Sequence, residues 1–156
     1  MSDTTEHAAR AHEIIDAHMH LEGPMLPILH AIQSEFGYVP QDMLPIIAER
    51  LNISRAEAHG VKSFYHDFRD APAGKHVIKV CRAEACQAMG ANHVADQIRA
   101  RLGVDWGETT ADGGITLEPV YCLGLCASGP AAMVNGQLEG RVTADRLDEI
   151  LSEVGA

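Results

Sequence analysis

Apolar residues recur every three or four positions through most of the first 70 residues, the period of helices that turn one face to a core. Ile14, Ile15, His18 and Met19 share a helical face after Ala8, Ala9 and Ala11, and the pattern breaks at Gly23 and Pro24. Leu26, Leu29, His30, Ile32, Gln33 and Phe36 predict a second helix that stops at Gly37, with Pro40 beyond it as a terminator. A third is predicted from about Gln41 to Leu51. Ser54 and Glu57 have the spacing of a capping box, in which hydroxyl and carboxylate satisfy each other's backbone amides. A fourth helix therefore starts there and carries Val61, Phe64, Tyr65 and Phe68 up to the linker Ala71, Pro72, Ala73 and Gly74. Tyr38, Phe64, Tyr65 and Phe68 are read as core aromatics, with a contact surface as the alternative.

Beyond the linker the period changes. Val77, Ile78 and Val80 form a short β-branched run ending at Cys81, which predicts a buried strand. Ala88, Met89, Val94, Ala95, Ile98 and Leu102 then recur at helical spacing, predicting one helix over about residues 86–102 with Cys86 near its N-terminus. Residues 115–121 predict a second strand leading into Cys122. Residues 131–134 and 137–140 flank Asn135 and Gly136, a pair that supplies the two positive φ angles of a type I′ hairpin turn. Thr143 is placed to cap a last helix carrying Leu147, Ile150, Leu151 and Val154. The expected architecture is α/β: a helical subdomain over residues 1–70, then strand, helix, strand, hairpin and helix over residues 75–156 in a thioredoxin-like order.

The chain's four cysteines, Cys81, Cys86, Cys122 and Cys126, form a C-x4-C pair and a C-x3-C pair separated by 35 residues. Four thiolates are the ligand set of a [2Fe-2S] cluster, in which each ferric ion takes two of them. Two ferric ions, two sulfides and four thiolates carry a net charge of minus two, and minus three after one-electron reduction. Gly90, Gly124, Ala127, Ser128 and Gly129 are small enough to let backbone amides approach the sulfurs, and Leu123 and Leu125 would keep water away. A four-cysteine zinc site is the competing reading, although zinc knuckles usually hold two residues between paired ligands. A thiol-redox site would call for C-x-x-C, and the sequence holds none.

Composition narrows the partners. With 22 acidic and 12 basic side chains the formal charge is -10, which argues against nucleic acid or an anionic membrane. Residues 1–10 have neither the apolar core of a secretory signal nor the arginines of a transit peptide, and are read as a cytoplasmic start. No run approaches the roughly 20 apolar residues of a membrane span. His7, His12, His18 and His20 crowd the N-terminus, but His12 and Glu13 lack the second histidine of a zinc-protease motif, so all four are read as solvated or interface residues. The sequence shows no nucleotide-binding glycine fingerprint and no convincing acid/base carboxylate pair.

These residues resemble a known family. Residues 37–40 with Ala48 and Leu51, residues 61–68 with Phe64 and Tyr65, Cys81, Cys86 and Gly90, and residues 122–126 with Pro130, Asn135 and Gly136 are similar to the thioredoxin-like [2Fe-2S] subunits of the 24 kDa NADH dehydrogenase type. Within that family the run over residues 81–90 looks most like the gamma subunit of soluble NAD-dependent molybdenum formate dehydrogenase. The resemblance implies that Cys81, Cys86, Cys122 and Cys126 bind the cluster. It also implies an electron-transfer role without catalysis, beside a partner subunit holding FMN, NAD and a further iron-sulfur cluster. A molybdopterin-containing catalytic subunit would oxidise formate. The equivalent subunit of respiratory NADH dehydrogenase or of an NAD-reducing hydrogenase is the alternative.

Overall fold

The computed structural model describes residues 3–155; Met1, Ser2 and Ala156, and with them the first part of the stretch read as a cytoplasmic start, lie outside the described residues. The chain divides into two compact units, Met1–Pro72 and Ala73–Ala156.

In the first unit α1 (Asp3–His18), α2 (Met25–Phe36), α3 (Met43–Leu51) and α4 (Arg55–Phe64) follow the apolar periods. Ile14 and Ile15 of α1, Ile28, Leu29 and Ile32 of α2, and Met43, Leu44 and Ile47 of α3 bury into one core with Val39 and Phe68. Each such aliphatic side chain contributes on the order of 2 kcal/mol by leaving water. The capping box is formed: the Glu57 amide donates to Ser54 Oγ at 3.1 Å and the Ser54 amide to Glu57 Oε2 at 2.8 Å.

Two helix limits differ from the sequence reading. The third helix starts at Met43, because residues 41 and 42 form a turn in which the Met43 amide bonds back to the Pro40 carbonyl at 3.2 Å. The fourth ends at Phe64, and Tyr65 is already extended. The segment after it is pinned from α2: Gln33 donates to the Asp67 carbonyl and accepts from the Arg69 amide, both at 2.7 Å. Those bonds hold residues 67–69 as a loop, so the aromatic residues leave helical register. Phe68 is 5% exposed and belongs to the core, whereas Phe64 at 73% and Tyr65 at 43% stand outside it. They pair edge to face at 5.1 Å, which corrects the core reading for those two residues.

The second unit holds a four-stranded sheet in the order β2-β1-β3-β4, built from β1 (His76–Cys81), β2 (Ile115–Val120), β3 (Ala132–Val134) and β4 (Gln137–Glu139). β1 and β2 run parallel in register from His76 opposite Ile115 to Cys81 opposite Val120; β1–β3 and β3–β4 are antiparallel. Asn135 and Gly136 take φ of 50° and 84°, the hairpin turn the sequence predicts. The crossover from β1 to β2 is two helices, α5 (Glu84–Ala88) and α6 (Ala91–Leu102), where one was expected. Gly90 at φ 96° breaks them apart, a backbone state other residues adopt only with strain. Ala88 and Met89 are consequently exposed, not buried along a continuous face. α7 (Ala144–Glu153) is capped by Thr143, whose hydroxyl accepts from the Arg146 amide at 3.2 Å. Ile78, Val80, Val94, Ile98, Ile115, Leu117, Leu147, Ile150 and Leu151 form the core between sheet and helices.

Candidate metal centre

The parallel pair β1–β2 ends at Cys81 and Val120, so both strands deliver their C-terminal loops to the same end of the sheet. Cys81 closes β1, Cys86 lies in the first turn and a half of α5, Cys122 follows β2, and Cys126 opens a 3-10 turn over Cys126–Ser128. All four are free thiols, with Cys81 and Cys86 buried and Cys122 and Cys126 exposed. Cys81 and Cys86 pack with Ala91 and Ala131, and Ala83, Val120, Leu123 and Leu125 lie around them half-buried. Of the flanks read from the sequence, Leu123 and Leu125 lie around the buried pair, whereas Gly90, Gly124 and Ala127 are exposed.

The sulfurs stand two and two. Cys122 Sγ and Cys126 Sγ are 3.7 Å apart. Two sulfurs about 2.3 Å from one tetrahedral metal ion would stand about 3.8 Å apart, so the outer pair is spaced as chelating ligands. Cys86 is within hydrogen-bonding reach of Cys81, and the charges of Cys81 and Cys126 both act on it. Among the described residues no three His, Cys, Asp or Glu side chains are grouped to hold a single metal ion. An all-sulfur donor set in two pairs fits a two-iron centre, one pair to each iron.

Electrostatics point the same way. Burial pushes the Cys86 thiol up, reinforced by its hydrogen bond with Cys81 and by the nearby thiolate charges. Cys126 is raised chiefly by its hydrogen bond to Cys122 and by that neighbour's charge. Cys86 and Cys126 therefore resist ionising unless cations lie among the sulfurs, and bound metal reverses the sign of the effect. Backbone dipoles already favour anionic sulfur: the Gly124 amide donates to Cys122 Sγ at 3.3 Å, and the Ala131 amide donates to Cys86. Gly124 at φ 77° and Cys122 at φ 119° show how tightly this loop turns to aim its amide. Gly129 lies against Cys86, where an added Cβ would meet the sulfur at 3.5 Å.

Sequence reasoning did not find Ala131. Its carbonyl accepts from the Cys81 amide at 2.9 Å while its amide serves Cys86, a double role created by the antiparallel pairing of β1 with β3. Nor did it find Arg82, whose guanidinium lies 5.5 Å from the Trp106 ring centroid. The histidines at 7, 12, 18 and 20 belong to the first unit and include exposed His12 and His20.

A parallel βαβ unit extended by an antiparallel hairpin, with four thiols gathered at one sheet end, defines a thioredoxin-like iron-sulfur class of domain. Residues 11–155 match the thioredoxin-like [2Fe-2S] ferredoxin family, and the chain belongs to it. It is 36% identical over 132 residues to the NADP-reducing hydrogenase subunit HndA of Solidesulfovibrio fructosivorans, covering 85% of this chain and 77% of that one. It is 36% identical over 150 residues to a subunit of the NADH-quinone oxidoreductase of Pseudomonas aeruginosa, covering 94% of this chain and 88% of that one. The corresponding NADH-quinone oxidoreductase subunit of Escherichia coli is 31% identical over 154 residues, 96% of this chain and 93% of that one. The fold is also that of part of an NAD+-reducing [NiFe]-hydrogenase in its H2-reduced state, with TM-score 0.70 and 24% identity over 83% of this chain; the match spans 22% of that longer chain. No described helix is long and apolar enough to cross a membrane.

Proposed function

We propose that this chain is the one-electron [2Fe-2S] subunit of an NAD(P)-linked oxidoreductase complex, with Cys81, Cys86, Cys122 and Cys126 as the four cluster ligands. The observation that carries the reading is the two-and-two gathering of four free thiols at the end of the β1–β2 pair. Bound there, the cluster supplies a site that takes or gives one electron at a time. The chain's own part is to exclude water at Cys81 and Cys86, to present Cys122 and Cys126 at the surface, and to direct the Gly124 and Ala131 amides at sulfur. Such donors favour added negative charge.

A hydride carrier delivers electrons in pairs and an iron-sulfur centre accepts them singly, so a flavin must stand between them. The partner is therefore a subunit binding FMN and NAD(P), and residues 1–70 offer it a helical docking unit separate from the cluster domain of residues 75–156. The named relatives favour a complex of the hydrogenase or NADH-quinone oxidoreductase type. A second reading, formate dehydrogenase with a molybdopterin subunit, is favoured by the run over residues 81–90. Mild affinity purification from the native source, followed by subunit identification and assays of H2-, NADH- and formate-dependent dye reduction, separates these. Co-isolation of a flavin subunit is expected with one of the three activities. Recovery of the fully metallated chain without any flavoprotein, even after cross-linking, would contradict the proposal.

A further inference from the structure

The two cysteine pairs differ in access. Cys81 and Cys86 are 1% and 2% exposed, and their surroundings are closed. The Cys81 amide is tied to the Ala131 carbonyl at 2.9 Å, the Ala131 amide serves Cys86, and Gly129 lies against the Cys86 sulfur. Cys122 and Cys126 are both exposed. Their loop turns at Cys122, φ 119°, and Gly124, φ 77°, and brings the two sulfurs to 3.7 Å. The Gly124 amide donates to Cys122 Sγ at 3.3 Å, which fixes that sulfur on the side facing its neighbour's approach. A disulfide holds its sulfurs about 2.05 Å apart, so closure here joins two atoms already almost in contact. Exposed thiols with a second thiol beside them are the ones that oxidants reach and that condense instead of oxidising further.

We propose that Cys122 and Cys126 are a site of reversible oxidation, closed to a disulfide by a hydroperoxide such as hydrogen peroxide whenever the pair holds no iron, while Cys81 and Cys86 are spared. One sulfur attacks the peroxide, the O–O bond breaks, a sulfenic acid forms, and the thiol proton joins the departing hydroxide as water. The second thiol then attacks the sulfenic sulfur; the S–S bond forms, the S–O bond breaks, and a second water leaves. Two thiols thus give up two electrons and two protons, and one peroxide becomes two waters. A dithiol reopens the bond by exchange and is itself oxidised to a disulfide. The closed pair keeps both sulfurs from further oxidation and withholds them from iron until reducing conditions return. That consequence rests on the four cysteines being cluster ligands; the disulfide itself does not.

The test uses the full-length chain with its iron counted, then removed by a chelator under reducing, anaerobic conditions, and the reductant washed out. Circular dichroism checks that the fold is retained. A short pulse of hydrogen peroxide is followed by alkylation in urea, trypsin and mass spectrometry. Cys122 and Cys126 share the tryptic peptide over residues 102–141, whereas Arg82 separates Cys81 from Cys86, so any other cross-link joins two peptides. The shared peptide is expected to be lighter by two hydrogens and to regain them with dithiothreitol, with Cys81 and Cys86 recovered as alkylated thiols. The same pulse given in urea should add a Cys81–Cys86 cross-link, because the fold no longer shields that pair. Cys126→Ser should abolish the disulfide and leave Cys122 as a sulfenic acid that dimedone captures. The iron-loaded chain should form the disulfide only in proportion to the iron it loses. Unmodified outer thiols, a Cys86–Cys126 cross-link, or oxidation of the inner pair as fast as the outer in the folded chain overturns the proposal. If the metal-free chain loses its helical signal, the iron-loaded arm decides, and a first cross-link at any other pair overturns it. A chain that holds no iron at the outset yet forms the Cys122–Cys126 disulfide refutes the ligand assignment alone and leaves the oxidation site standing.

Discussion

Cys86 is the residue on which the site turns most tightly, since it is buried, takes the Ala131 amide and adjoins Cys81. Cys86→Ser is expected to remove or strongly perturb the visible spectrum and lower the iron content; an unchanged spectrum with full iron would show that it is no ligand. Exposure and acidity make a second prediction. In metal-free protein an alkylating reagent should label Cys122 and Cys126 before Cys81 and Cys86. Burial raises the Cys86 thiol, so its thiolate forms only above the usual thiol range and its labelling should lag until the pH is higher still. Loaded protein should protect all four; mass spectrometry of labelled peptides reports each site, and equal rates in metal-free protein would contradict the buried-and-exposed pairing. The cysteine constellation was legible in the sequence because spacing is local. Ala131 and the Arg82–Trp106 contact were not, because strand pairing brings Ala131 to Cys81 and the turn after α6 brings Trp106 to Arg82.

At the scale of elements, caps and breaks decide the outcome. Ser54→Ala removes one half of the formed capping box and should destabilise the helical unit by about 1 kcal/mol in urea unfolding. The end of α4 depends on Lys62, whose side chain is 4% exposed and pairs with the largely exposed Asp70, itself also bonded by Gln41 at 3.0 Å. The hydrogen bond from Lys62 holds the Asp70 carboxyl below its ordinary range, with the Lys62 charge and Gln41 also contributing. A depressed carboxyl stabilises the fold above its unfolded value of about 3.9 and loses that contribution as pH falls through the lower folded value. Asp70→Asn should therefore lower stability at neutral pH by on the order of 1 kcal/mol, discounted for the solvent around Asp70. The gap to wild type should close in acid; a constant gap in thermal melts from pH 7 to strongly acidic buffer would refute this. Helix existence was legible from apolar period, as were the caps at Gly37, Ser54 and Thr143. The early end of α4 was not, since Gln33, some 34 residues away from Asp67, overrides the local pattern. The split at Gly90 was also missed, because apolar spacing continues across a residue whose φ the sequence does not display.

For the whole molecule, the order of elements and the family were legible, while the complex it serves was only partly so. The run over residues 81–90 points toward formate dehydrogenase, and the relatives named above point toward hydrogenase and NADH-quinone oxidoreductase. The choice depends on surfaces that meet other subunits, and a single chain's core pattern is silent about them. Phe64, Tyr65 and Tyr121 are exposed aromatic residues on an acidic chain, the kind of apolar area that protein partners cover. All of this depends first on the centre. Its most direct test is an EPR spectrum of anaerobically purified protein before and after dithionite, with iron and zinc counted on the same sample. About two irons per chain and a signal that appears only on reduction are expected of a [2Fe-2S] carrier. An EPR-silent sample holding one zinc per chain and no iron would contradict the account and make the four cysteines a structural zinc site.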